Sequence, residues 1–125
     1  MVVGTLKSGR KLVTDTNTIR SLNDRFRQGD ASVPGQIVIT RGLVDLLEET
    51  GKTPDDLMHP VRQDDAFAPD NDPHREHDFG SFEFLGYTCF WKLDYFAPDL
   101  NWGSEDPTDI TKTTRVLTVM LAEEY

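Results

Sequence analysis

The stretch Ser81-Phe82-Glu83-Phe84-Leu85-Gly86-Tyr87-Thr88-Cys89-Phe90-Trp91-Lys92-Leu93-Asp94-Tyr95 decides the fold. Two runs rich in aromatic residues flank Leu85-Gly86, the clearest hairpin signal in the chain. A period of two places Cys89, Trp91, Leu93 and Tyr95 on one face of the second strand and Phe90, Lys92 and Asp94 on the other. The first set is the predicted core face. A thiol at Cys89 on that face is a small, inert hydrophobe rather than a nucleophile.

Downstream, residues 96–112 form a Pro-, Asp- and Asn-rich segment around Trp102, of a length that usually carries function. Residues 113–121 are β-branched enough to close the sheet, although Val116 to Leu121 also suits a buried helix; strand is the favoured reading. Upstream, Gln36-Ile37-Val38-Ile39-Thr40 reads as a strand buried on at least one face. A helix follows through Leu43, Val44, Leu46 and Leu47, stopped by Gly51. Thr53-Pro54-Asp55-Asp56 starts another, because Thr caps, Pro suits the first helical position and the acids favour the positive helix end; Pro60 limits or kinks it. Before all of these, Thr16 or Thr18 can cap a helix with Ile19, Leu22 and Phe26 on one face and Arg20, Asp24 and Arg27 opposite, ended by Gly29. Residues 1–14 lack a sustained period and are expected to be a flexible arm. The predicted architecture is a single α+β domain over residues 15–125. Its N-terminal helices pack on one face of a small, mainly antiparallel sheet of about four strands, with the hairpin at the centre.

At 125 residues the chain is sized for one domain. Its apolar runs fall well short of the roughly 20 residues that span a bilayer, and residues 1–6 lack the regions of a signal peptide. A single cysteine precludes an internal disulfide, so a reducing, cytoplasmic setting is expected. The net charge of −9 is unevenly laid out: residues 1–41 carry seven Lys/Arg against three Asp/Glu, and residues 42–125 carry six against nineteen. A field of that sign repels nucleic acid and attracts basic partners. Direct nucleic-acid binding would have only a small patch such as Arg20 and Arg27 to draw on, and is disfavoured.

The densest chemistry lies in Asp70-Asn71-Asp72-Pro73-His74-Arg75-Glu76-His77-Asp78-Phe79-Gly80. If Pro73 opens a helical turn, His74 and His77 become neighbours at i, i+3, and Asp70, Asp72 or Asp78 can complete a metal shell. A second arrangement sets His77 against Asp78 or Asp94 with Lys92 nearby, as in general acid/base catalysis. The plainer reading is that Asp70, Asn71 and Asp72 fold the loop through side-chain to backbone hydrogen bonds, and that Lys92 and Asp94 pair on the surface. No Gly-rich phosphate loop is present and no cofactor is expected.

The segments Phe67-Ala68-Pro69-Asp70-Asn71-Asp72-Pro73, Glu76-His77-Asp78-Phe79-Gly80, Phe90-Trp91-Lys92-Leu93-Asp94-Tyr95 and 114–125, with Ile19 to Arg27 and Ile39-Thr40-Arg41-Gly42, resemble the bacterial family called domain of unknown function 3768. That family brings no assigned activity. The resemblance implies an alphaproteobacterial setting near plasmid and other mobile-element genes, and by association an accessory or anti-defence role. Between Asp64 and Asp109 stand twelve acids against Arg75 and Lys92. Carboxylates spaced along a rigid surface imitate a phosphate backbone toward a Lys/Arg-lined groove. The preferred expectation is therefore a non-catalytic acidic interaction protein, an anti-defence inhibitor of the anti-CRISPR or anti-restriction type. Asp99, Trp102, Glu105, Asp106 and Asp109 would meet a basic surface on a partner such as a nucleic-acid-handling complex. The alternative is a small metal-dependent hydrolase or nuclease using His74, His77 and Asp78.

Overall fold

A computed structural model describes the backbone of residues 13–125 and the side chains from Asp15 onward. The elements run α1 (Val13–Arg27), β1 (Gly35–Ile39), α2 (Arg41–Thr50), α3 (Pro54–Gln63), β2 (Phe79–Phe84), β3 (Tyr87–Phe96) and β4 (Thr114–Leu121), closed by a 3-10 turn over Ala122–Glu124. The strand order β1-β4-β3-β2 makes one four-stranded sheet. β2 with β3 and β3 with β4 are antiparallel, whereas β1 joins β4 in parallel, so the fold is α+β with a mainly antiparallel sheet. Residues 1–12 of the expected arm lie outside the described residues, and helix has already begun at Val13.

The hairpin turns at Leu85 and Gly86, both left-handed (φ 53° and 84°), as a two-residue turn between right-twisted strands requires. Its second strand keeps the predicted alternation: Cys89, Trp91 and Leu93 are buried. They meet Leu43 and Leu47 of α2, Leu57, Met58 and Val61 of α3, Phe84 of β2, and Leu117 and Val119 of β4 in one core. Each such large side chain stabilises the fold by about 1.5–3 kcal/mol on full burial. Only one hairpin strand is central, however: Trp91 of β3 pairs with Gly80 of β2 on one side and Val119 of β4 on the other, and β4 pairs onward with β1, which leaves β2 at an edge.

Local signals place the helices. Thr53 caps α3 in a reciprocal box with Asp56, Pro54 opens the first turn, and Gly51 ends α2 at φ 70°. The helix runs past Pro60 to Gln63, beyond the limit expected at the proline. Thr40 precedes α2 without capping it; its hydroxyl donates instead to Glu124, whose carboxylate also accepts from the Gly42 N–H.

Two burial expectations fail. β1 is exposed at four of its five residues, because it is an edge strand beside β4 and the apolar core faces of α2 and α3 are spent on the central strands. Arg27, expected on the open face of α1, is 2% exposed. It shares a face with Asn23, one turn earlier, and both sit beside Ile19 and Leu22, so the buried face of α1 is half polar.

Candidate functional site

α1 lies across the ends of β3 and β4, and its two buried polar residues organise a hydrogen-bonded network there. The Asn23 amide donates to the Tyr95 hydroxyl (2.8 Å) and to the Glu76 carbonyl (2.9 Å), while its oxygen accepts from Arg115 Nε (2.6 Å). Tyr95 donates onward to the Glu76 carboxylate (2.8 Å). The register Tyr95↔Arg115 puts these two side chains on the core face of adjacent strands, the Arg115 guanidinium 5.3 Å from the Tyr95 ring. Burial pushes the Tyr95 phenol far up, and Glu76 adds to the effect. Burial likewise pulls the Arg115 guanidinium down. Arg27 binds the carbonyls of Val61 (2.7 Å) and Asp64 (2.9 Å), lies over Phe67 and Trp91, and pairs with Asp24 (3.2 Å). Sequence reasoning missed Asn23, Glu76 and Arg115. For Asn23 and Arg115 the signal was positional, since a polar residue one turn from Ile19 and another in register with Tyr95 both point inward; Glu76 lies in a loop and gave none.

Beside this network His77 stands at the wall of a cleft of about 570 Å³ lined also by Asn17, Arg20, Phe67, Asp72 and Arg75. His77 Nδ1 meets both oxygens of Asp24 (2.9 and 3.1 Å), Nε2 faces Asp72 Oδ2 at 3.6 Å, and the ring stacks on Phe67 with centroids 3.7 Å apart. Both Arg75 and His77 are left-handed (φ 59° and 53°), a strained backbone that the Asp72 carboxylate holds by accepting the His77 N–H (3.1 Å). The turn at Pro73 is therefore not helical, and the two histidines diverge. His77 and Asp72 line one cleft; His74, with Asp70, Asp78, Lys92 and Asp94, lines another of about 480 Å³. His77 takes Asp24 and Asp72 as its carboxylate neighbours, while Lys92 pairs with Asp94 at 3.2 Å. Among the described residues, no three His, Cys, Asp or Glu converge to hold a metal ion. Among the described residues, none that lines the His77 cleft is Ser, Thr or Cys. Burial, assisted by the charge of Glu76, raises the Asp78 carboxyl above the ordinary carboxylate value. Cys89 is buried with its thiol pushed up to about 11, first by that burial.

The 97–113 loop is built differently. Asp99 accepts from the Asn101 N–H, Asp106 from the Thr108 N–H and hydroxyl, and Asp109 from the Thr111 N–H and hydroxyl, three successive aspartate turns. The loop is fastened below: Thr113 donates to the Asp106 carbonyl, Ser104 Oγ and Thr113 Oγ1 are 2.7 Å apart, and Arg115 Nη2 holds the Pro107 carbonyl (2.8 Å). The hydrogen bonds from Thr111 hold the Asp109 carboxyl below the usual carboxylate range. Glu105 projects beside Lys112 (3.4 Å), and Trp102, 74% exposed, borders a groove of about 310 Å³ with Pro98, Glu105 and Lys112. All five residues expected from the sequence to bind a partner lie in this one hydrogen-bonded loop.

Fold and site together define a small α+β domain with a polar network under its first helix and an acidic, turn-braced loop tied to that network through Arg115. The chain belongs to the family described as protein of unknown function (DUF3768), whose model matches residues 39–124. No curated protein and no solved structure matches it. Among the described residues, no helix is long and apolar enough to cross a membrane.

Proposed function

We propose that this protein is a non-catalytic acidic interaction protein whose 97–113 loop docks on a basic protein surface. The supporting observation is that the carboxylates of Asp99, Asp106 and Asp109 are each fixed by a local turn, so negative charge is displayed at set positions. Only one oxygen of Asp99 and of Asp109 is used in these turns. Pre-set acceptors lose little entropy on meeting Arg or Lys, and charge-assisted hydrogen bonds are the stronger kind. Trp102 supplies the aromatic anchor that such interfaces commonly centre on. In the finer form of the proposal, the partner is a nucleic-acid-handling defence complex in a bacterial cytoplasm, and the loop occupies a groove shaped for phosphates, as suits a gene carried on mobile elements.

The test exploits the turn chemistry. Asp99→Asn, Asp106→Asn and Asp109→Asn keep the side-chain oxygen that each turn needs, and Glu105→Gln keeps the shape, so the quadruple variant removes charge and leaves the loop folded. Wild-type protein is expected to retain a basic partner that salt and competing duplex DNA release, and the variant is expected to retain none. Equal retention by both would defeat the proposal.

A further inference from the structure

The two edges of the sheet are unlike. Along β2, the register with β3 and the Leu93 N–H to Asp78 carbonyl bond turn the main-chain groups of Phe79, Ser81 and Glu83 outward, and Glu83 sets a charge on that edge. Along β1, Arg115 N–H binds the Pro34 carbonyl and Thr40 N–H binds the Val119 carbonyl. In a parallel ladder this phase commits Gln36 and Val38 to β4 and turns the N–H and C=O of Gly35, Ile37 and Ile39 outward. No charged residue lies between Pro34 and Thr40, and Ile37 and Val38 are 51% and 43% exposed. Natural edge strands are ordinarily guarded by charge, proline or a covering element.

We infer that β1 is a self-association edge, at which a second copy of this chain adds its own β1 antiparallel to form one continuous eight-stranded sheet about a two-fold axis. The register supports this occupant. The outward-facing set Gly35, Ile37 and Ile39 is symmetric about Ile37, so pairing Ile37 with Ile37 of the second copy sets Gly35 opposite Ile39 twice. Every outward donor on one copy then meets an outward acceptor on the other, as hydrogen-bonded antiparallel pairs demand. The pairing opposes no like charges, since Arg41 falls across from Val33.

The experiment combines mass and amide exchange on the full chain. Light scattering across a concentration series should show the mass rising from 14.2 kDa toward twice that value. Over the same series the Gly35, Ile37 and Ile39 amides should gain protection, whereas Gln36 and Val38, already bonded to β4, stay protected throughout. Ile37→Pro removes an outward N–H without touching the β4 ladder and is expected to weaken association about tenfold or more through the two hydrogen bonds lost at the dyad. Val38→Lys, which places a charge on the edge while keeping the backbone, should weaken it too and covers the case in which the proline variant misfolds. Three outcomes would each overturn the inference. One is a monomer at every concentration with all three outward amides exchanging freely. The second is a monomer with those amides already protected, meaning that another part of the same chain covers the edge. The third is a dimer in which they stay unprotected.

Discussion

The network under α1 and the 97–113 loop are both rich in groups that do chemistry, yet they spend those groups in opposite ways. Asn23, Arg27, Glu76, Tyr95 and Arg115 bond one another or the backbone in the interior, with Arg27 Nε and Arg115 Nη1 buried there without a hydrogen-bond partner, and His77 is clasped between Asp24 and Asp72. In the loop each aspartate accepts the hydrogen bonds of a turn of its own, with Asp99 exposed and Asp106 and Asp109 half-buried. The difference teaches that a concentration of His, Asp and Arg in a sequence does not by itself mark a site. What marks one is polar capacity left over where a partner can reach it, and in the loop the second carboxylate oxygens of Asp99 and Asp109 have that place.

The sharpest way to break this comparison is at its interior end. Arg115→Ala should cost about 3 kcal/mol or more, because it strips a buried partner from Asn23 and frees the loop carbonyl of Pro107; urea unfolding measures it, and a loss under about 1 kcal/mol would show the network to be ornamental. Substitution at His77 should cost less. His77→Ala gives up the Asp24 bond and the Phe67 stack for about 1–2 kcal/mol, and His77→Gly should be no worse, since glycine relieves the left-handed backbone. A glycine variant clearly less stable than the alanine one would mean that the φ of 53° carries no strain.

Asp78 gives a smaller effect with a definite pH signature. Its folded carboxyl is raised above the unfolded value, so the folded state binds the extra proton and stability falls as pH rises through that window. Asp78→Asn should therefore raise the melting temperature at pH 7 and lose its advantage below the unfolded carboxylate value of about 4. An advantage that persists unchanged in acid would point to a cause other than ionisation. Smallest of all, the loop variant with three Asp→Asn changes and Glu105→Gln should stay within about 0.5 kcal/mol of wild type, as surface substitutions do. A large destabilisation there would erase the distinction between the two regions.

How far the sequence foretold this division follows from the range of the interactions involved. The hairpin, the alternation of β3, the caps at Thr53 and Gly51 and the strand nature of β4 depend on neighbours within a few residues, and all are readable locally. The α+β class follows from them. The edge position of β1 depends on parallel pairing with a strand almost eighty residues away, so a β-branched run suggested burial it does not have. Arg27 misled for a related reason: charge suggested an open face, but its partners are backbone carbonyls of α3 and the loop after it, which no helical period reveals. His74 and His77 share an i, i+3 spacing only on paper, because left-handed residues at 75 and 77 turn them into separate clefts.

The central claim is that the loop is a binding surface working through fixed charge, and Trp102 reports on it directly. Trp91 is fully buried and Trp102 is 74% exposed, so a shift in tryptophan emission on adding a captured basic partner reads the loop. The account predicts a blue shift and an affinity that falls steeply with added salt, both absent from the variant neutralised at Asp99, Glu105, Asp106 and Asp109. Binding that leaves Trp102 in water, ignores salt or survives neutralisation of the four acids would contradict it.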